Sequence, residues 1–147
     1  MREFEMPSAS YATLEIMADV SFLEAIHAFV ESFFSKFPSI ARREDNVSYT
    51  LHLAVSEACT NVMKHAYKDK GSGPGMLRLE MWVTAKRVVI QVTDHGSGFD
   101  TEGIVDPDFD GPPREGGNGL FIIKQSMDRL EYHSQPGFTV LRCEKEL

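Results

Sequence analysis

Glu57 and Asn61 stand four residues apart in the stretch from Leu51 to Lys68, LHLAVSEACTNVMKHAYK. At that spacing a carboxylate and a carboxamide share one helical face, with Lys64 and His65 a further turn along. A second chemically useful run is Asp94-His95-Gly96-Ser97-Gly98. There an Asp can accept a hydrogen bond from an amine, and the glycines let the backbone turn and a flat ligand approach closely. The third is Gly116-Gly117-Asn118-Gly119, ahead of Leu120 and its helix. Free N–H groups and the positive end of a helix dipole make such a start a natural phosphate site. Each run also has an ordinary explanation: a solvated i,i+4 pair, a strand-ending turn, a hinge before a helix. Together, and in this order, they suggest a nucleotide held at its base by Asp94 and at its phosphates by the turn at 116–119. Neither glycine run is a P-loop, because GxxxxGK[ST] is absent, and neither is a Rossmann GxGxxG after a first strand.

The elements that must position these residues are legible from periodicity. Val47, Leu51, Ala54, Val55, Ala58, Val62 and Ala66 recur at helical spacing, and no Gly or Pro interrupts Leu51 to Lys68. A carboxylate and an amide flanking that stripe are out of place on a purely structural helix. Upstream, Tyr11 to Met17 reads as a first strand. Asp19 or Ser21 then caps a helix carrying Phe22, Leu23, Ile26, Phe29, Val30 and Phe33. That helix is apolar on more than one side; most of it is expected to pack in the core, and a spare apolar strip would suit a subunit interface. Pro38 is expected to end the segment, and Glu44 to Asn46 leads into the long helix.

Lys68 to Pro74 is a turn-rich break. Leu77, Leu79, Met81 and Val83 alternate with polar or aromatic residues as a half-buried strand does, and Val88 to Val92 pairs with it as a hairpin. No period is usable from Thr101 to Glu115, and unpatterned loops of that length are commonly lids or binding loops. Leu120, Ile123, Met127 and Leu130 then follow helical spacing. Leu130 to His133 and Phe138 to Glu144, broken by Gln135-Pro136-Gly137, are closing strands. The order strand, helix, helix, two strands, loop, helix, two strands predicts an α+β fold. We expect a two-layer α/β sandwich with a mixed, mostly antiparallel sheet and helices on one face.

Composition narrows the function. The chain has 147 residues, 42% hydrophobic and 25% charged, which suits one globular domain with a real core. A net charge of −7 argues against a nucleic-acid groove, though not against a nucleotide, which needs only a few local donors. No apolar run nears the roughly 20 residues of a membrane span, and the N-terminus lacks a signal-peptide core, so a cytoplasmic protein is expected. Cys59 and Cys143 match no zinc spacing and read as reduced, buried residues, and the five histidines form no ligand pattern.

EACTNVMKHA, DHGSGFD and GGNGLFII resemble the Asn box and the two glycine boxes of the ATPase superfamily shared by gyrase, histidine kinases, a heat-shock chaperone and mismatch-repair proteins. More narrowly, the wording resembles the bacterial anti-sigma-factor serine/threonine kinases. The resemblance runs from about Thr13 to the C-terminus. It implies a 1–12 leader and a single ATP-binding kinase domain over 13–147, in a histidine-kinase-like ATPase fold. It implies ATP and Mg²⁺ as cofactors, with Asn61 as the side-chain ligand of the Mg²⁺ that bridges the phosphates. Glu57 is then the general base toward a Ser or Thr hydroxyl, or the group that aims it, since phosphoryl transfer relies chiefly on position and electrostatics. Asp94 binds the adenine amine, Gly96 and Gly98 shape the floor, and Thr139 lies near adenine. Lys64, His65 and Arg114 are candidates for the phosphates, beside the Gly116, Gly117, Asn118, Gly119 and Leu120 turn. Asn118 stands where many relatives carry Arg, which removes one positive charge there.

The implied activity is partner switching. Such a kinase sequesters a sigma factor or comparable regulator and phosphorylates a small antagonist protein on Ser or Thr. Relatives commonly form a homodimer. Two other readings stay open: a nucleotide-gated binding module without useful kinase activity, and a histidine-kinase-like ATPase fragment. Glu57 favours the enzyme over the module. The histidine-kinase reading needs a phosphoacceptor helical hairpin, for which the residues before Thr13 leave no room.

Overall fold

The computed structural model describes residues 9–67, 75–96 and 119–147. In chain order these form β1 (Ser10–Met17), α1 (Leu23–Phe34), a short α2 (Pro38–Ala41), α3 (Val47–Asn61), β2 (Met76–Val83), β3 (Arg87–Asp94), α4 (Gly119–Ser126), β4 (Arg129–Gln135) and β5 (Phe138–Glu146). The strands make one five-stranded sheet in the order β1-β2-β3-β5-β4. Every pairing among the described strands is antiparallel.

The period-2 pattern decides which face is covered. Leu77, Leu79, Met81 and Val83 on β2, Val88, Ile90 and Val92 on β3, and Leu141 and Cys143 on β5 are all buried in one core cluster. The helices supply its other half through Ile26, Val30 and Phe34 on α1, Leu51, Ala54, Val55 and Ala58 on α3, and Leu120 and Ile123 on α4. Each large aliphatic side chain fully buried there contributes about 1.5–3 kcal/mol. The small Ala54 and Ala58, 0% and 2% exposed, let the α3 backbone run close to its neighbours. All seven apolar positions of the predicted stripe, from Val47 to Ala66, are buried.

Three local expectations are corrected. Pro38 does not end a segment: it opens α2 at the first helical position, where a missing N–H costs nothing. The long helix does not stay α-helical to Lys68, because after Asn61 it widens into a π turn over Val62–Ala66. Met127 and Leu130 do not extend α4, which ends at Ser126, and Leu130 belongs to the closing strand expected there, β4. The capping at the first helix is as expected in kind: Asp19 Oδ1 accepts from the Ser21 N–H at 2.9 Å, closing a 3₁₀ turn that leads into α1. The phenylalanines of this segment are used mainly in the core, although Phe22 stays 37% exposed. Phe34 is 1% exposed, and Phe29 and Phe33 pack against the core. No described helix is long and apolar enough to cross a membrane.

Candidate active site

The rungs of the sheet are apolar on the helix side until the last one. Register places Leu77, Asp94, Thr139 and Ser134 side by side across β2, β3, β5 and β4. Asp94 is 1% exposed and Thr139 3%, both on the covered face. Asp94 Oδ1 accepts from the Gly96 N–H at 3.0 Å, so the carboxylate is turned back over its own strand end. Its Oδ2 is buried and has no partner among the described residues. A buried acceptor without a donor is costly unless a ligand supplies one. Burial pushes the Asp94 carboxyl up from its usual 3.8, while the Gly96 hydrogen bond and His95 hold the shift down.

Ser134 Oγ and Thr139 Oγ1 lie 3.0 Å apart across the β4–β5 pair, one hydroxyl donating to the other. Tyr132 sits one rung inward, opposite Leu141. Burial pushes its phenol up, and the charge of Asp94 adds to the effect. Ser134 and Tyr132 are site-floor residues that sequence reading did not single out. The signal was available only through register: the turn at Pro136-Gly137, with Gly137 at φ 83°, sets Ser134 against Thr139.

The second half of the site hangs from α3. A Cβ at Gly119, the first residue of α4, would lie 2.9 Å from Glu57 Oε2, 3.2 Å from Asn61 Oδ1 and 3.4 Å from Asn61 Nδ2. The polar ends of Glu57 and Asn61 therefore converge on one glycine, and only the missing side chain gives them room. Both are half-buried, so their functional atoms are neither sealed in the core nor spread into solvent. Immediately after Asn61 comes the π turn, a feature often found at functional sites because it re-aims the residues that follow. Lys64 is exposed and His65 half-buried on that turn.

The turn also reaches the base side of the site. A Cβ at Gly96 would fall 2.1 Å from the Ala66 carbonyl oxygen, so the end of the π turn rests directly on the strand end that carries Asp94. Gly119 thus meets Glu57 and Asn61, the π turn that follows Asn61 meets Gly96 beside Asp94, and Leu120 is buried in the core. Gly98, Arg114, Gly116, Gly117 and Asn118 lie outside the described residues. A groove of about 540 Å³ opens on the helix-free face, lined among others by Gln91, His133, Phe138 and Arg142, and reaches Ser134 at the strand end. It contains none of the predicted site residues.

The donor set fits a magnesium nucleotide. Asp94 Oδ2 offers an acceptor for an exocyclic amine, and the Asn61 carboxamide oxygen is a hard oxygen donor of the kind that could hold Mg²⁺. No group of three or more His, Cys, Asp or Glu among the described residues is placed to hold a metal by itself.

Comparison with known proteins adds the following. Residues 20–145 match the family described as histidine kinase-like ATPase domain. Over 95 residues the chain is 40% identical to the serine-protein kinase RsbW of Staphylococcus epidermidis, covering 60% of this chain and 59% of that protein. It is 36% identical over 102 residues to the protein of the same name from Bacillus pumilus, covering 61% and 60%. The chain therefore spans about three fifths of the length of these relatives. In structure it is similar to the histidine kinase domain of a blue-light activated histidine kinase from Erythrobacter litoralis EL346. That likeness has a TM-score of 0.58 at 20% identity, over 86% of this chain and 60% of the other. At that identity the likeness speaks for the fold.

Proposed function

This chain belongs to the histidine kinase-like ATPase family, and from that premise we propose that it is an ATP- and Mg²⁺-dependent serine/threonine protein kinase of the partner-switching kind. The observation that carries the reading is the meeting of Glu57 Oε2 and Asn61 Oδ1 at Gly119, with the π turn that follows Asn61 reaching Gly96 beside the unpartnered Asp94 Oδ2. A metal ligand, a proton acceptor and a base-reading carboxylate then serve one ligand. Similarity to proteins named serine-protein kinase supports a hydroxyl acceptor over a histidine one.

In this reading Asp94 Oδ2 accepts from the adenine amine, and Thr139 and Ser134 line the floor beside it. Asn61 would hold the Mg²⁺, which when bound would supply neutralisation of the phosphate charge. Glu57 orients the acceptor Ser or Thr hydroxyl and takes its proton as the new O–P bond forms and ADP leaves. The Gly119 backbone and the residues at 116–118 serve the phosphates, with Lys64, His65 and Arg114 as further candidates. The substrate is a small antagonist protein, and the partner held and released is a sigma factor or comparable regulator. A homodimer belongs to the same proposal, with the partly exposed phenylalanines of the first helical segment as a reasonable surface for it.

The test mixes the protein with labelled ATP, Mg²⁺ and candidate antagonist proteins. Labelling on Ser or Thr that is lost in Glu57→Gln supports the kinase. ATP binding with no labelling of any candidate supports the nucleotide-gated module instead, and no ATP binding at all contradicts both.

A further inference from the structure

Tyr67, the residue that follows the π turn, makes contacts that the proposed chemistry does not use. Its hydroxyl donates to the Met76 carbonyl oxygen at 2.6 Å and accepts from the His95 N–H at 3.0 Å. One phenol thus ties the end of the α3 segment to the first residue of β2 and to the residue directly after Asp94. The ring is seated as firmly as the hydroxyl. A Cβ at Gly75 would lie 2.1 Å from Tyr67 Cε1, so the chain entering β2 runs flat against the aromatic face. Next to it the Ala66 carbonyl abuts Gly96, whose N–H holds Asp94 Oδ1.

These contacts form a continuous path. Asn61 leads through the π turn to Ala66 and Tyr67, these bear on His95 and Gly96, and Gly96 orients Asp94. Nothing in the core requires a hydroxyl here, since a Phe ring would fill the same space. What the oxygen adds is a fixed position for the peptide after Asp94. That position decides whether Gly96 can hold one carboxylate oxygen and leave the other for a ligand.

We propose that Tyr67 is a positioning residue for base recognition, its hydroxyl clamping the His95 N–H to the Met76 carbonyl so that Asp94 presents Oδ2 to an amine-bearing nucleobase. The inference rests on the nucleotide reading of the site and adds to it a determinant of base selectivity outside the ligand's contact shell. Tyr67→Phe keeps the ring and leaves the His95 N–H and Met76 carbonyl without that partner. A carboxylate no longer held in one orientation makes a weaker hydrogen bond to an amine at the base edge, which narrows its margin over a base with a carbonyl oxygen there.

The experiment measures ATP and GTP affinities of the full chain for wild type, Tyr67→Phe and Tyr11→Phe. The last removes an exposed hydroxyl bonded to Glu80 at 2.8 Å on the helix-free face. The expected result is an ATP-over-GTP preference in wild type that falls about tenfold in Tyr67→Phe and is unchanged in Tyr11→Phe. An unchanged preference in Tyr67→Phe overturns the proposal, as does an equal loss for both nucleotides, which would mark a purely structural tyrosine. Wild type that binds no ATP contradicts the nucleotide reading itself and is recognised by that control alone. Amide exchange on wild type gives an arm free of substitution. The His95 N–H should be protected without nucleotide and further protected with ATP, and exchange at the rate of an open peptide overturns the clamp.

Discussion

Asp94 is a residue that the nucleotide-free fold holds at a cost. Burial raises its carboxyl above the usual 3.8, so the folded chain keeps that proton to higher pH than the unfolded chain does. Its contribution to stability therefore falls as pH rises from 3.8 through the raised value, and at neutral pH the charged, half-satisfied carboxylate burdens the fold. Asp94→Asn should accordingly leave the nucleotide-free melting temperature unchanged or a few degrees higher while abolishing ATP binding, a pattern scanning calorimetry and a binding titration resolve together. Asn61→Ala should remove the Mg²⁺-dependent part of ATP affinity. The two thiols offer a contrast, because burial pushes both Cys59 and Cys143 up to about 12. Neither should react with iodoacetamide at pH 7 in the folded protein, and both should react after denaturation.

The two glycines that touch α3 and its π turn separate fold from function. At Gly96 the atom met by a Cβ is a backbone oxygen at 2.1 Å, which cannot swing aside. Gly96→Ala should cost about 3 kcal/mol, the upper end for overpacking, and lower the denaturation midpoint in urea. At Gly119 the atoms met are the ends of the Glu57 and Asn61 side chains, which can move. Gly119→Ala should keep most of the stability yet displace the Glu57 carboxylate, with about a hundredfold loss of phosphoryl transfer for a shift near 1 Å. The same contrast marks what a sequence displays. The stripe from Val47 to Ala66 and the alternation in β2 were readable because burial repeats with the backbone period. The π turn and the use of Pro38 to start α2 were not, since each is settled by packing against distant elements. Glu57, Asn61 and Asp94 stood out by residue type, whereas Tyr67, Tyr132 and Ser134 join the site only through cross-strand register and the path of the chain after α3.

For the molecule as a whole, the proposed site carries the chemistry while the rest supplies a packed scaffold, so ligand and fold should be linked. A nucleotide that binds the folded state alone stabilises it by about 2.7 kcal/mol at a hundred times its dissociation constant. For a chain of this size that is roughly 5 to 10 °C in melting temperature. The rise should vanish with a chelator of divalent ions and in Asn61→Ala. The helix-free face keeps its own contacts, with Tyr11 beside Trp82 at 5.2 Å between ring centroids and Arg142 5.9 Å over the Trp82 ring. Those residues should not influence the nucleotide response. The central claim is that Glu57 and Asn61 divide the labour between acceptor hydroxyl and metal, and one comparison tests it directly. ATP affinity and transfer of labelled phosphate to a Ser- or Thr-bearing antagonist protein are measured side by side for wild type and Glu57→Gln. The account predicts equal ATP affinity and at least about a hundredfold slower transfer in the variant. Transfer at the wild-type rate would contradict it.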